Sequence, residues 1–313
     1  MVNMQECLIC KNSFDSDITF NRHLRSHKTK IEEYYINYYP KKDLLTGEQI
    51  PFKSKEQYLS SDFLNKHNLN NWIKKTDKAV VSEYFKKLFS ARKEKKELIY
   101  SLSQVECRSL PIPNIIKLND IWGDYYKTCE SLGFVNKYQY PSFAAEITQK
   151  TPKNDDIIYV DTREQKALIF NLPTEKRTIK FGDYAFAKND KKIYFERKSI
   201  SDLIGTLSAG YERFQREIER SISAESKLII IVEEKFSNAI GFNYLSHVYK
   251  KDTRVTPEFI FHKVRELIQK YPTIQFLFAD GRRESVRLIE KIFLSDIDYT
   301  SYDLQLCYDL KLL

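Results

Sequence analysis

The stretch Ile193-Tyr194-Phe195-Glu196-Arg197-Lys198 begins apolar and ends charged, and it constrains the fold more than any other feature of the chain. Side chains alternate faces along a strand, so Glu196 and Lys198 share one face and Arg197 points to the other. Upstream, residues 178–181 alternate like a strand, Gly182 leaves the backbone free to bend, and Asp183 follows. Asn189 and Asp190 read as the tip of the hairpin that returns Asp183 towards Glu196. Two carboxylates and a lysine on neighbouring strands suit a metal-dependent phosphodiesterase. The carboxylates hold a divalent ion that polarises the phosphate and lowers the pKa of a water. The lysine orients that water or neutralises charge built up in the transition state.

A second triplet, Gly123-Asp124-Tyr125, has no acid-x-lysine strand after it and reads as an ordinary turn. Around the first, strand and helix patterns alternate. Strands are expected at 157–160, 228–232 and 274–278, and helices at 165–172, 201–207, 211–223, 257–271 and 282–293. That order predicts an α/β sandwich around a mixed sheet. In 211–223, Phe214, Ile218 and Ile222 form a core stripe. Arg213, Gln215 and Arg216 lie off the stripe, facing either a substrate backbone or solvent.

The ordered set Asp161-x-Arg163-Glu164, Gly182-Asp183-Tyr184, Glu196-Arg197-Lys198-x3-Asp202-Leu203 resembles the XPF-type structure-specific endonucleases of the restriction-endonuclease-like superfamily, over roughly residues 155–295. The resemblance implies a mixed sheet flanked by helices. It also implies Asp183 and Glu196 as ligands of Mg²⁺ or Mn²⁺, with the backbone carbonyl of Arg197 as a further ligand. Lys198 becomes the catalytic lysine and Asp161 a supporting acid near the metal. Arg163, Glu164 and Asp202 match family positions.

The N-terminus carries an independent motif. Cys7-x2-Cys10-x12-His23-x3-His27 has the spacing of a Cys₂His₂ zinc finger, with Phe14 and Phe20 as its core aromatics. Asp15 or Ser16 caps a helix on which His23 and His27, four apart, share a face. Four protein ligands make the Zn²⁺ structural. By resemblance to DNA-reading fingers, Ser16, Thr19 and Arg22 face the groove. One finger spans only about three base pairs, and a protein-binding or purely structural finger remains the alternative.

Between the motifs, residues 31–40 read as a strand or extended linker, and helices are expected at about 55–75, 79–103 and 115–132. The second contains Arg92, Lys93, Lys95 and Lys96, a phosphate-contact face or a solvated one. Residues 148–156 read as a linker. The expected division is therefore a finger at 1–30, a basic, mainly helical region at 31–150, a nuclease domain at 155–295 that folds without it, and a tail at 296–313. Of the net charge of +8, about +6 lies before residue 151, which assigns general DNA holding to the N-terminal half.

Other patterns narrow the class. No G-x-x-x-x-G-K-[ST] is present, so no nucleotide cofactor is expected. About twenty residues follow Phe293 and no G-x-G occurs, so the family's helix-hairpin-helix grip is not expected. No apolar run spans a bilayer, the N-terminus is polar, and Cys107, Cys129 and Cys307 lack ligand spacing. These patterns predict an intracellular protein, in cytoplasm or nucleus, neither secreted nor in a membrane. The resulting expectation is a metal-dependent DNA endonuclease whose partner is DNA, with a homodimer through the nuclease domain left open. Structure-selective and site-directed cleavage both stand. The alternative classes are a non-catalytic DNA-binding scaffold and a protein-recruiting adaptor.

Overall fold

The computed structural model describes residues 5–50, 52–63, 65–143, 151–188, 190, 192–241 and 255–313. They form two compact units, Met1–Ala91 and Arg92–Leu313. Among the described residues no helix is long and apolar enough to cross a membrane.

The first unit begins with a ββα finger. Antiparallel β1 (Gln5–Glu6) and β2 (Ser13–Phe14) precede α1 (Asp17–Leu24), whose first turn is capped by Ser16 accepting from the Thr19 amide. Residues 31–40 are not extended. They form α2 (Ile31–Tyr38), because the Glu33 carboxylate accepts from the Lys30 amide at 3.2 Å and Tyr34 buries its ring against Phe20. The Tyr34 hydroxyl also accepts from the Leu8 amide at 2.8 Å, which joins α2 to the finger core of Cys7, Phe20 and Leu24.

The expected helix at 55–75 is two helices, α3 (Lys55–Ser60) and α4 (Lys66–Lys75), the latter restarted by the Asn65 side chain. Helix α5 (Lys78–Glu94) buries Val81, Phe85 and Phe89, spaced four apart. It ends at Glu94, not near 103, and the chain turns at Lys96 with φ +57°. Lys95 and Lys96 therefore leave the basic helix.

In the second unit the pattern at 115–132 splits into α7 (Ile115–Trp122) and α8 (Tyr125–Ser131), after the short α6 (Gln104–Ser109). A six-stranded mixed sheet follows in the order β4-β3-β5-β6-β7-β8. Its strands are β3 (Ile158–Val160), β4 (Thr174–Lys176), β5 (Tyr184–Phe186), β6 (Ile193–Lys198), β7 (Lys227–Val232) and β8 (Gln275–Phe278). β5 is antiparallel to β3 and β6, and β6, β7 and β8 run parallel. The helices are α9 (Ile200–Leu207), α10 (Tyr211–Ser223), α11 (Phe236–Ala239), α12 (Pro257–Lys270), α13 (Gly281–Leu294) and α14 (Leu304–Asp309). Along β7, Leu228, Ile230 and Val232 join the core with α9, α10 and α12, while Ile229 and Ile231 join the core with α13 and α14. A strand covered on both faces reads as a continuous apolar run.

Two expected elements are absent. Residues 165–172 make no helix, because their amides go elsewhere: Leu168 N–H to the Tyr184 hydroxyl, and Asn171 and Leu172 N–H to Glu290. Leu172 also precedes a proline, which disfavours a helical backbone. Residues 178–181 make no strand, because the Ile179 amide donates to the Asp161 carboxylate instead of to a ladder. Asn189 of the expected hairpin tip and residues 148–150 of the linker lie outside the described residues.

The expected domain division also differs from the observed units. Glu106 of α6 is fully buried, pairs with the equally buried Lys137 at 2.6 Å, and accepts from Gln269 of α12 at 2.7 Å. Gln104 N–H donates to Asp303, and the Gln104 amide side chain to Asp309 of α14. Gln305 accepts from Phe278 N–H of β8, and Gln275 from Leu304 N–H. Residues 296–313 are thus a core element, not a tail, and residues 98–143 belong with the sheet. Charges this deep are tolerated only with their partners in place, which binds these segments into one unit. With the boundary at residue 91 the excess charge divides equally, about +4 in each unit.

Candidate active site and zinc centre

The site is assembled by one close approach. Gly182 has φ +62°, and a Cβ there would lie 2.5 Å from the Phe195 carbonyl oxygen. Only glycine lets this backbone press against β6. Asp183 N–H then donates to Phe195 C=O at 2.7 Å, and Arg197 N–H donates to the Asp183 carboxylate at 2.8 Å. Tyr184 pairs with Phe195, so continuing the antiparallel register by one residue places Asp183 opposite Glu196. Glu196 and Lys198 lie on the same face, and the Lys198 ammonium donates to the Glu196 carboxylate at 2.5 Å. Arg197 turns to the other face and holds Glu233 through two hydrogen bonds of 2.7 and 2.9 Å.

Burial, and then the nearby Glu196 charge, push the Asp183 carboxyl up to about 7. One oxygen of Asp183 is taken by the Arg197 amide and one of Glu196 by Lys198. The other oxygen of each remains, and a strand residue's C=O leaves the same edge as its N–H, so Arg197 C=O opens on the Asp183 side. Two carboxylates and a carbonyl make a hard oxygen set, which fits Mg²⁺ or Mn²⁺.

The remaining acids are arranged around it. Asp161 is almost completely buried and accepts from the Arg163 amide and guanidinium (2.9, 2.6 and 3.0 Å) and from Ile179 N–H (3.0 Å). Burial pushes its carboxyl up, but Arg163 and these amides bring it below the ordinary range. Both Asp161 oxygens are therefore engaged, and its backbone N–H donates to Asp183 C=O at 2.9 Å. Asp161 sets the position of Asp183, with Arg163 as its counter-ion. Glu164 faces Arg197 at 3.5 Å. Asp202 forms a capping box with Ser199 at the start of α9, a helix-start role.

Two nearby residues have no counterpart in the sequence reading, Glu233 on Arg197 and Glu217 on α10. Lys198 Nζ lies 5.6 Å from the Phe214 ring centroid of α10. Glu217, three residues on, shares that helix face, and its carboxyl is raised by burial first and then by the Glu196 charge. Only the position of Lys198 makes the Phe214-to-Glu217 spacing informative; no local signal marks it.

In the finger, one ligand atom each of Cys7, Cys10, His23 and His27 falls within 4.8 Å of all the others. Cys10 Sγ is 3.2 Å from His23 Nε2, Cys7 Sγ 3.6 Å from His27 Nε2, and the two Nε2 atoms are 3.0 Å apart. A tetrahedral zinc with bonds of about 2.0 to 2.3 Å needs ligand separations of roughly 3.3 to 3.8 Å; the pairs at 3.2 and 3.6 Å lie at or near that range, and the two imidazoles at 3.0 Å need to part by only about 0.3 Å to admit the ion. Of the three expected groove residues, Ser16 and Thr19 spend their hydroxyls within the helix cap, while Arg22 is exposed. Among the basic residues expected to touch DNA, Arg92 pairs with Glu97 at 3.2 Å and Lys93 donates to the carbonyls of Leu132 and Gly133. Lys95, Lys96 and Arg213 are exposed.

Residues 160–292 match the family model of the ERCC4 domain. The DNA repair protein RAD1 of Saccharomyces cerevisiae is 24% identical over 156 residues, which are 44% of this chain and 14% of that protein. XPF from Aeropyrum pernix aligns over 44% of this chain and 64% of its own, at 20% identity and a TM-score of 0.33. The same protein in complex with DNA aligns over 44% and 63%, at 19% and 0.34. The chain thus spans about a seventh of RAD1 and under two thirds of the XPF chains. The stretch matched to the ERCC4 domain, residues 160–292, contains Asp161, Asp183, Glu196 and Lys198.

Proposed function

We propose that this protein is a divalent-metal-dependent DNA endonuclease. The observation that carries the reading is the meeting of Asp183 and Glu196 on adjacent strands with Lys198 on the same face. Asp183, Glu196 and the Arg197 carbonyl would hold Mg²⁺ or Mn²⁺, which supplies Lewis-acid activation of the phosphate and a water of lowered pKa. Lys198 then serves as the proton-bearing group beside the reacting phosphate, its ammonium steered by Phe214 and Glu217. Asp161 and Arg163 hold the Asp183 backbone in place, and Arg197 with Glu233 stiffens the end of β6.

The finger, loaded with structural Zn²⁺, is proposed to contribute Arg22 to DNA contact. Its zinc is tested by native mass measurement and by chelation. Loss of metal is expected to unfold the finger and leave the second unit folded. Activity is tested with Mg²⁺ or Mn²⁺ on linear, nicked, forked and branched DNAs. Cleavage of forked or branched DNA in preference to linear DNA supports the structure-selective form of the reading. Equal loss with chelator and with Glu196→Gln ties it to this site, and no cleavage of any substrate sinks it.

A further inference from the structure

We infer that α10 carries a phosphate track that delivers one DNA strand to Asp183 and Glu196; this rests on the nuclease reading above and names the surface its substrate occupies. Beside the site lies an open groove of about 890 Å³ lined by Lys180, Phe181, Arg213, Arg216, Glu219 and Arg220. Lys180 and the three arginines are exposed. Among the described residues, no hydrogen bond or ion pair engages the three guanidinium groups. This sets them apart from Arg163, Arg197 and Arg287, whose guanidiniums are held by Asp161, Glu233 and Glu284. The one acid in the groove, Glu219, is already matched by the Tyr271 hydroxyl and by Lys270 at 3.5 Å.

Position makes this a track and not merely a charged surface. Arg213, Arg216 and Arg220 are spaced three and four apart and line one helix face, opposite the buried Phe214 and Ile218. They extend about 10 Å along α10, the length of about three nucleotide steps of one strand. At the near end, Lys180 and Phe181 run directly into Gly182-Asp183. α10 itself places Phe214 under Lys198 and Glu217 between Arg216 and Arg220. A backbone lying on the arginines is therefore led past the acids. Arginine binds phosphate through a planar fork of donors, and a row of cations outside any ion pair favours a polyanion over a neutral or acidic protein segment.

The test uses the full chain with Asp183→Asn, so that binding is read without cleavage. A fluorescent forked duplex is titrated from 50 to 200 mM KCl. Replacing Arg213, Arg216 and Arg220 together by Gln is expected to reduce the slope of log affinity against log salt by about 2 to 3. Affinity at the lowest salt should fall about tenfold or more. Replacement by Lys is expected to restore the slope. Circular dichroism and melting establish that the triple variant is folded; Arg216→Glu alone, at an exposed site, repeats the test with one change. Unchanged slope and affinity in both variants overturn the track, even if the wild type cleaves. Absent cleavage by the wild type with a reduced slope in the variants leaves the track standing and removes the nuclease reading.

Discussion

Gly123-Asp124-Tyr125 and Gly182-Asp183-Tyr184 are the same three letters doing different work. Both glycines have positive φ, +82° and +62°. The first ends α7 in open space, with nothing within 4 Å of an added Cβ, and Asp124 caps α8 by accepting from Lys127 N–H. The second is pressed against Phe195, and its aspartate is half-buried opposite a glutamate. Both tyrosines are fully buried and hydrogen-bonded, Tyr125 to Leu102 C=O and Tyr184 to Leu168 N–H. The triplet describes a turn. What makes one of them a site is the strand it lands on.

The comparison is broken most forcefully at the middle letter. Asp183→Asn and Glu196→Gln are each expected to lower cleavage on the order of 10³-fold with DNA binding retained, while Asp124→Asn leaves cleavage unchanged. Wild-type turnover in the Asp183→Asn protein, measured under single-turnover conditions, would remove Asp183 from the site.

The first letter should show a smaller but clear contrast, in stability. Gly182→Ala meets a backbone carbonyl and is expected to cost about 3 kcal/mol or more by urea denaturation, whereas Gly123→Ala meets only backbone strain of about 1 kcal/mol. Equal losses would show that the close approach at Phe195 is unimportant.

A pH series sharpens the point. The folded Asp183 carboxyl at about 7 stands above its unfolded value of about 3.9, so the folded state binds the extra proton. Metal-free stability should therefore fall as pH rises from about 4 to 7, and Asp183→Asn should flatten that fall. The check is melting temperature against pH in chelator. A steeper fall in the Asp183→Asn variant would contradict the assignment.

The third letter is where the triplets should agree. Tyr184→Phe strands an amide and Tyr125→Phe a carbonyl, each for about 1 to 2 kcal/mol in chemical denaturation. A neutral result for either would show that its buried partner finds another bond.

Strand alternation made the central acids legible. The E-x-K spacing implies a shared face for Glu196 and Lys198, whatever the rest of the fold does. The finger was legible because four ligands, two aromatics and a cap lie within thirty residues. Glu217 was not, because its relevance depends on where Lys198 sits. Asp202 matched a pattern, yet its carboxylate serves the helix start, which the same Ser199-x-x-Asp202 spacing also encodes. Arg92 and Lys93 read equally as a phosphate-contact or a solvated face; the Glu97 partner of Arg92 is visible in the local sequence, but the Leu132 and Gly133 carbonyls that hold Lys93 are not, because they are distant in the chain. The unit boundary was hidden for a related reason. Ser103-x-x-Glu106 is readable as a cap, but the partners of Glu106 are Lys137 and Gln269, and no local pattern predicts a long-range buried pair. A fragment beginning near residue 153 therefore lacks Glu106 and Lys137, and leaves Asp303 and Asp309 without Gln104 and Arg108.

That interlocking makes the second unit answer as a whole. Asp303, Gln305 and Asp309 hold α6 and β8, so loosening this helix is expected to weaken the sheet on which Glu196 and Lys198 stand, although they lie about a hundred residues away in the chain. The second unit should therefore melt in one cooperative step.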